Sequence, residues 1–385
     1  MTIAFLSEKL SEIKESGLLR TLHRVQSAPF AKIKVDGKEF INFSSNNYLD
    51  LAGNREIYKS AISIVEQYGF TSASSRVLSG NLSIHEELES KLAEFKNKEA
   101  CLVFPSGYQT NVGVISALMT NEAESCIIMD KLNHASLWDG AKLSGSRIFA
   151  YEHCDMNSLE KVLIRTSKYK IKLVITESIF SMDGDFTPLK DFTWLCQKYN
   201  AISILDEAHS TGVFGKEGRG LADYFGVENK IDISIGTLSK SFALQGGFVC
   251  GSKELVDFLI NKSRAFIYTT AISPVICAAA LKAFEIVEKS DEKRHNLINL
   301  SKTLKIKLNA LGFDTLKTQS QIIPIVTNTI GNTEEIAKNL LKEGIYAPAI
   351  KPPTVPKEQA RIRISLISGH TLSDIERLIT VFKFY

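Results

Sequence analysis

Short apolar runs alternate with helical stretches between residues 100 and 250, and this alternation constrains the fold more than any other feature of the sequence. Continuously apolar strands that alternate with helices are typical of a largely parallel sheet with helices on both faces. The chain is therefore predicted to be an α/β protein with its functional residues at the carboxyl ends of the strands. The runs are Ala100–Phe104, Cys126–Met129, Arg147–Ala150, Leu173–Thr176, Ile202–Leu205, Ile231–Gly236 and Phe248–Cys250.

The segment before this region predicts an arm and a hairpin over residues 1–45. Apolar residues recur near helical spacing over 1–30, with Glu and Lys between them. Two alternating runs, Lys32–Val35 and Glu39–Phe43, then flank the residues Asp36-Gly37, which are a strong hairpin signal. The large domain is predicted to follow over residues 46–280.

The segment after this region predicts a smaller α+β domain over residues 281–385. A long helical stretch at 274–310 leads into it. Strands are expected at Ile322–Val326 and Ile362–Leu366, followed by a final helix from Ser373.

Composition and charge exclude several classes of function. Lys and Arg number 46 and Asp and Glu 43, a net charge of +3, and no long basic run occurs, so neither nucleic acid nor a membrane surface is an expected partner. No apolar stretch approaches the roughly 18 residues that span a bilayer. Six scattered cysteines without a Cys-x-x-Cys pair predict buried thiols and no metal site. We expect a cytoplasmic protein.

Two strand ends carry candidate residues whose pattern alone does not decide their role. Ser106-Gly107-Tyr108 stands between a strand and a predicted helix, where backbone N–H groups can bind a phosphate. An ordinary turn with Ser106 as the helix cap explains the same pattern. His134 follows the next strand, and a histidine in this position can be catalytic or structural.

Two further strand ends carry an acid and a lysine. Asp206 ends a buried strand, and His209 lies three residues further on. A carboxylate there could bind a metal, orient a histidine or pair with a protonated ring nitrogen, and the lack of a His-x-x-x-His cluster disfavours metal. Lys240 follows another strand, beside Ser239 and shortly before Gly246-Gly247, which suits a Schiff-base lysine as well as a surface lysine.

Together the four strand ends fit pyridoxal 5′-phosphate. This cofactor needs a lysine for its aldehyde, an acid for its ring nitrogen, a helix N-terminus for its phosphate and a flat group over its ring. Lys240, Asp206, Gly107–Tyr108 and His134 supply one of each.

The sequence also resembles a known family over nearly its whole length. Thr237-Leu238-Ser239-Lys240 is similar to the cofactor-attachment motif of the α-oxoamine synthases, which are aspartate aminotransferase-like enzymes of fold type I. Further motifs of the family follow in the expected order. They are Asn42–Leu49, Ser79–Asn81 with His85, Asn133–Ser136, Phe180–Asp185, Asp206–Gly212 and Ile267–Thr270.

The resemblance implies a decarboxylative acyl transfer by a homodimer. The segment Ile350–Pro356 is similar to that of members that condense L-alanine with pimeloyl-CoA or pimeloyl acyl-carrier protein and release CO2 and the free thiol. Thr269 or Thr270 is implied to reach the cofactor phosphate of the partner subunit. The implied catalytic residues are Lys240, His134 and Asp206, the implied cofactor-binding residues are Ser106, Gly107, Tyr108, His134, Ser181, Asp206, His209, Thr237, Lys240, Thr269 and Thr270, and the implied substrate-binding residues are Arg20, Asn47, Thr354 and Arg363.

Two positions depart from the family pattern. The family has a glycine-rich run before Arg76, where this chain has Ala73-Ser74-Ser75. The side chains add bulk where glycines would let the backbone approach a ligand closely, so the acyl-donor preference of this chain is expected to depend on them. Lys351 stands where an arginine is common, which keeps the charge but loses the bidentate fork.

Three other functions stay open. The first is another α-oxoamine synthase that uses glycine or serine with a different acyl-CoA. The second is a catalytically silent subunit, which the intact Lys240, Asp206 and His134 disfavour. The third is an α/β nucleotide-binding enzyme, which the lack of a Gly-x-Gly-x-x-Gly run disfavours.

Arg361 and Arg363 alternate along a predicted strand. One of the two is expected to face outward as a surface charge.

Overall fold

The computed structural model describes residues 3–119 and 123–385. Over these residues the chain forms fifteen α-helices and thirteen β-strands. The helices are α1 (Ala4–Glu15), α2 (Arg55–Ser63), α3 (Val65–Tyr68), α4 (Ser83–Phe95), α5 (Gly107–Leu118), α6 (Ala135–Leu143), α7 (Met156–Arg165), α8 (Leu189–Lys198), α9 (Leu221–Tyr224), α10 (Lys253–Lys262), α11 (Arg264–Ile267), α12 (Pro274–Glu288), α13 (Asp291–Ala310), α14 (Ile330–Lys342) and α15 (Leu372–Phe382). The strands are β1 (Lys32–Val35), β2 (Lys38–Asn42), β3 (Ala100–Phe104), β4 (Ser125–Asp130), β5 (Arg147–Tyr151), β6 (Ile171–Glu177), β7 (Ile202–Asp206), β8 (Ile233–Thr237), β9 (Gly247–Gly251), β10 (Ile322–Asn328), β11 (Ile345–Tyr346), β12 (Ala349–Ile350) and β13 (Ala360–Ser365).

The central sheet has seven strands in the described chain, in the order β3-β9-β8-β7-β6-β4-β5. The pairs from β8 to β5 are parallel, whereas β9 is antiparallel to both β3 and β8. Each of the seven apolar runs forms one of these strands. The predicted α/β class with a largely parallel sheet is confirmed.

Helices cover both faces of this sheet. Phe248 and Val249 are successive residues of β9 and therefore point to opposite faces. Phe248 packs in a cluster with Leu88 of α4 and Phe284 of α12, whereas Val249 packs in a cluster with Val114 of α5. Because both faces are covered, β4, β8 and β9 are buried at every residue.

The chain divides into two compact units. The larger unit contains residues 46–181 and 185–296, including the seven-stranded sheet. The smaller unit contains the described residues up to Ser45, residues 182–184 and residues 297–385, with two three-stranded sheets ordered β1-β2-β11 and β10-β13-β12. Residues 281–296 thus group with the larger unit and the N-terminal segment with the C-terminal one. The division into domains 1–45, 46–280 and 281–385 stays a prediction.

Two helical stretches are shorter than the sequence pattern predicts. The arm expected over 1–30 is helical over Ala4–Glu15 and is followed by Gly17 with a φ of 69°, a conformation that ends helices. Residues 1 and 2 of this arm lie outside the described residues. The stretch expected at 274–310 is two helices, because Ser290 donates to the Ile286 carbonyl at the end of α12, and Asp291 and Glu292 favour a new helix start.

Two further predictions concern the burial of the cysteines and whether any helix could span a membrane. Five of the six cysteines are buried, but Cys154 is only partly buried, because it lies in a turn after β5 with a φ of 53°. The prediction of a buried thiol is therefore wrong at Cys154. Among the described residues, no helix combines the length and the apolar character needed to cross a membrane.

Candidate active site

A cavity of about 230 Å³ lies in the larger unit, at the carboxyl ends of β3, β4, β6, β7 and β8. Parallel strands bring their following loops to one edge of the sheet, so residues far apart in sequence meet there. The cavity brings together eight predicted site residues, Ser106, Gly107, Tyr108, His134, Asp206, His209, Thr237 and Lys240.

The start of α5 forms one wall of this cavity. Ser106 caps the helix by accepting a hydrogen bond from the N–H of Gln109 at 3.2 Å, and the helix begins at Gly107. A Cβ atom on Gly107 would lie 3.3 Å from the Thr237 side chain, and one on Gly247 would lie 2.6 Å from the Gly107 backbone. Because Gly107 and Gly247 have no side chains, the start of α5 can pack closely against β8 and β9. The first N–H groups of the helix are then available to an anion. Tyr108 is fixed by donating to Asp139, and this hydrogen bond raises the pKa of Tyr108.

Asp206 is held by two donors at the end of β7. Its Oδ1 accepts from the N–H of Ala208 at 2.8 Å, and its Oδ2 accepts from Asn111 Nδ2 at 2.9 Å. Asn111 also donates to Ser136 Oγ at 2.9 Å. Its own Oδ1 is buried and has no hydrogen-bond partner in the described part of the chain. Buried polar atoms rarely stay unpaired, so this oxygen indicates that the cavity accepts a group with a hydrogen-bond donor.

His134 lies on the open side of the cavity and caps α6. Its Nδ1 contacts Ser136 Oγ at 2.7 Å, and its backbone N–H donates to Glu177 Oε1 at 2.5 Å. Desolvation lowers the pKa of His134, although the charge of Asp206 opposes this effect. The imidazole is therefore largely neutral near pH 7, as suits a ring that stacks on another ring.

His209 and Lys240 complete the cavity. His209 is buried, and its Nδ1 contacts the hydroxyl of Tyr48 at 2.6 Å. Lys240 is partly buried and lies within a tight loop in which the Leu238 carbonyl accepts from the N–H of Leu244 at 2.8 Å and the Leu238 N–H donates to the Gly246 carbonyl at 3.0 Å. Thr237 Oγ1 donates to the Gly246 carbonyl at 2.8 Å, which ties the same loop to the end of β8.

Four predicted site residues of the larger unit do not line this cavity in the described chain. Ser181 lies in the turn after β6, and Asn47 is buried, with its Oδ1 accepting from the N–H of Leu51 at 2.9 Å. Thr269 is partly buried and Thr270 is exposed. The cap of α12 is Ser273, so helix capping accounts for neither threonine.

The other three predicted substrate residues belong to the smaller unit. Arg20 and Thr354 are exposed and line one groove together with Lys351. The Lys351 ammonium group donates to the Gly17 carbonyl at 2.6 Å and pairs with Glu334 at 2.9 Å.

Arg363 and its neighbour Arg361 lie on β13. Arg363 is 8% exposed and Arg361 is 0% exposed, so the expectation that one of them faces outward is wrong. Arg361 is satisfied where it is buried, because it pairs with Asp183 at 2.8 Å and donates to the Met182 carbonyl at 3.1 Å.

Sequence reasoning left four polar residues of the cavity out of the predicted site, Asn111, Ser136, Glu177 and Ser239. Asn111 lies inside α5 and leaves no signal in the sequence, because its contact with Asp206 spans 95 residues. Glu177 ends a predicted strand in the same way as Asp206, so the strand-end rule that found Asp206 could have found it.

Asp130, His153 and Cys154 form a group whose ligand atoms lie within 4.8 Å of one another. Both ring nitrogens of His153 are engaged, by Asp130 at 2.9 Å and by Asp185 at 2.9 Å. Desolvation opposes a charge on this ring, but the hydrogen bonds that it donates to the two carboxylates outweigh this effect and raise the pKa of His153 to about 12. The contacts therefore describe a protonated histidine between two carboxylates.

Comparisons with known proteins agree on one family. The family model for aminotransferase class I and II matches residues 38–382. The 8-amino-7-oxononanoate synthase of Thermoanaerobacter pseudethanolicus is 43% identical over 98% of this chain and 96% of its own length. A serine palmitoyltransferase of S. paucimobilis, solved with a bound PLP–myriocin aldimine, is 28% identical with a TM-score of 0.92 over 99% of this chain and 96% of its own. The 8-amino-7-oxononanoate synthase of Francisella tularensis is 28% identical to this chain. Its TM-score is 0.79 over 90% of this chain and 97% of its own.

Proposed function

Because the chain belongs to the 8-amino-7-oxononanoate synthases, pyridoxal-phosphate-dependent acyltransferases of biotin synthesis, we propose that it condenses L-alanine with a pimeloyl thioester. The products are 8-amino-7-oxononanoate, CO2 and the free thiol of coenzyme A or acyl-carrier protein. The observation that carries the proposal is the cavity that joins Lys240, Asp206 and His134 beside the start of α5. The identity of 43% over nearly the whole chain supports the choice of substrates.

The residues of the cavity fit pyridoxal phosphate. Lys240 would hold its aldehyde, Asp206 its ring nitrogen and the first turn of α5 its phosphate, with Asn111 Oδ1 as an acceptor that has no donor in the described chain. When bound, the cofactor withdraws electrons from the α-carbon of the amino acid and stabilises negative charge there.

Lys240 and Asp206 have complementary roles in proton transfer. Lys240 Nζ accepts the α-proton of L-alanine once the amino acid has displaced it. Asp206, with two N–H donors on its carboxylate, holds a proton on the ring nitrogen by opposite charge. This proton is what allows the ring to withdraw electrons.

The remaining predicted residues position the cofactor and the substrates. His134 covers the ring, while His209 and Ser181 orient its hydroxyl side and Thr237 supports the phosphate end. Arg363 binds the amino acid carboxylate, since a planar guanidinium matches a carboxylate with two hydrogen bonds.

Three of the predicted residues are assigned to the acyl substrate. Arg20, Asn47 and Thr354 bind the pimeloyl thioester, and the groove that Arg20 and Thr354 share supports this assignment for those two residues. We also propose a cytoplasmic homodimer.

A second α-oxoamine synthase activity has one observation in its favour. The TM-score of 0.92 with a serine palmitoyltransferase exceeds the 0.79 with the Francisella tularensis synthase. The sequence identities favour L-alanine and pimeloyl thioester, because the serine enzyme is 28% identical to this chain and the Thermoanaerobacter synthase 43%.

A matrix of substrates tests the proposed function. Protein loaded with pyridoxal phosphate is given L-alanine, glycine or L-serine with pimeloyl-CoA, pimeloyl acyl-carrier protein, acetyl-CoA, succinyl-CoA or palmitoyl-CoA, and release of the free thiol is measured. We expect the highest kcat/KM for L-alanine with one of the two pimeloyl thioesters and no turnover for Lys240→Ala. Lys131→Ala is the matched control, because Lys131 is an exposed lysine that pairs with Glu152. A faster reaction with glycine or serine would replace the proposal by a sibling activity, and no reaction with any pair would indicate a silent subunit.

A further inference from the structure

Glu177 is a buried acid at the floor of the cavity. It is the last residue of β6, it is 4% exposed, and it lines the cavity together with His134 and Asp206. In the parallel ladder between β6 and β7, Glu177 stands directly opposite Asp206. Two acids therefore meet at the edge of the sheet where the chemistry takes place, and the proposed function uses only Asp206.

Glu177 is bonded to the turn that carries His134. Its Oε1 accepts from the backbone N–H of His134 at 2.5 Å, and one residue earlier Asn133 Nδ2 donates to the Ile175 carbonyl of β6 at 2.9 Å. The turn between β4 and α6 is thus tied to β6 at two successive residues. With the backbone of His134 held, its imidazole can still move by rotation of the side chain. The contact between His134 Nδ1 and Ser136 Oγ at 2.7 Å restricts this rotation.

A second negative charge is disfavoured at this edge. Burial, and next the charge of Asp206, raise the pKa of Glu177 well above its ordinary value. The Asp206 carboxylate already accepts from two N–H donors. Both effects favour the protonated form of Glu177, which accepts from His134 without placing a second negative charge beside Asp206.

We propose that Glu177 is a positioning residue of this enzyme, whose carboxyl group fixes the backbone of His134 and thereby holds the imidazole over the cofactor ring. The inference rests on the proposed function for the role of His134. It adds a residue that acts through His134 rather than by touching the substrate.

Three variants of the holoenzyme test the inference. Glu177→Gln keeps a neutral side chain with an oxygen acceptor, Glu177→Ala removes the acceptor, and Glu207→Gln is the matched control. Glu207 is a 1% exposed acid one residue beyond Asp206, but it pairs with Lys96 at 2.5 Å and does not line the described cavity. The readouts are the visible circular dichroism of the bound cofactor, kcat and KM for L-alanine, and the thermal midpoint.

We expect Glu177→Gln to keep the cofactor dichroism and a kcat within about threefold of wild type. Glu177→Ala should change the dichroism and lower kcat by at least about tenfold, roughly the loss of one hydrogen bond to a buried group. Glu207→Gln should lower the thermal midpoint without changing the dichroism. Any one of three results would overturn the inference. The first is an unchanged dichroism in Glu177→Ala, the second is a change no larger than that of the control, and the third is a Gln variant as impaired as the Ala variant. A wild-type protein that binds the cofactor but does not turn over L-alanine would instead refute the proposed function, because the dichroism does not depend on turnover.

Discussion

At the residue scale, the charge of Asp206 is the feature on which the proposed chemistry depends most. Asp206→Asn keeps the size of the side chain but removes the charge that holds a proton on the cofactor ring. We expect the variant to bind the cofactor and to lose at least about 10²-fold in kcat, on the order of 3 kcal/mol of barrier. Steady-state kinetics with cofactor absorbance measures both. Asp155→Asn is the control, because Asp155 caps α7 and Asn caps equally well. A near-wild-type rate for Asp206→Asn would make Asp206 a structural carboxylate.

A second residue-scale feature is the strained backbone at Ala73. This residue has a φ of 51° in the segment where the family has glycines, and a side chain in that region costs about 1–2 kcal/mol. Glycine removes the strain but adds roughly 0.5–1 kcal/mol of unfolded-state entropy. We therefore expect Ala73→Gly to raise the free energy of unfolding by roughly 0.5–1 kcal/mol in denaturant titrations.

The control for this change is Ala280→Gly in the middle of α12, where the same substitution should destabilise by about 1 kcal/mol. If both substitutions destabilise to the same extent, the positive φ at Ala73 is not a source of strain.

At the scale of elements, His153 links the end of β4 to the segment before α8 through Asp130 and Asp185. The pKa of His153 is raised to about 12 in the folded chain, against the ordinary value of 6.5 in the unfolded chain. Between these values the folded state keeps a proton that the unfolded state has lost, so stability falls as the pH rises. The contribution of His153 is fully present below pH 6.5 and declines above it.

We therefore expect wild type to lose stability between pH 6.5 and pH 9.5, and His153→Gln to lose less over the same range. Denaturant titrations at four pH values measure the two slopes. Equal slopes would show that His153 is not protonated in the folded chain.

The strands were predictable from sequence because strands covered on both faces leave continuous apolar runs, as in β3, which the pattern located residue for residue. The break between α12 and α13 was not predictable from the sequence, because it depends on a local hydrogen bond of Ser290 that the helical spacing of apolar residues does not indicate. Within the site, Lys240 and Asp206 stand at strand ends in recognisable motifs. Asn111 lies inside a helix, and its contact with Asp206 spans 95 residues, so only the fold reveals it.

At the scale of the whole molecule, the exposed surface near Thr269 and Thr270 suits a second copy of the chain. Phe70, Leu78 and Tyr268 are 74%, 80% and 73% exposed. Their segments adjoin, because Ser273 Oγ donates to the Phe70 carbonyl at 2.6 Å. Adjacent exposed apolar residues of this size are typical of interfaces, and the two threonines beside them are proposed to reach the partner's cofactor phosphate.

The double variant Thr269→Ala/Thr270→Ala is therefore expected to weaken cofactor affinity by roughly tenfold, through the loss of hydrogen bonds to a charged group. Dilution that separates dimers should lower cofactor occupancy in wild type as well. Equilibrium dialysis with sedimentation measures both. Ser273→Ala is the control, since it removes the cap of α12 without touching the proposed phosphate contact. A monomer with full cofactor affinity would contradict the shared site.

The most direct test of the central claim follows the carbon atoms of L-alanine. Holoenzyme is given pimeloyl-CoA with L-alanine labelled with carbon-13 either at the carboxylate or at the methyl group, and the products are analysed by mass spectrometry. The account predicts that the carboxylate label leaves as CO2, whereas the methyl label stays in 8-amino-7-oxononanoate, with one free thiol released for each CO2. Retention of the carboxylate label in the condensed product, or thiol release without labelled CO2, would contradict a decarboxylative condensation at this site.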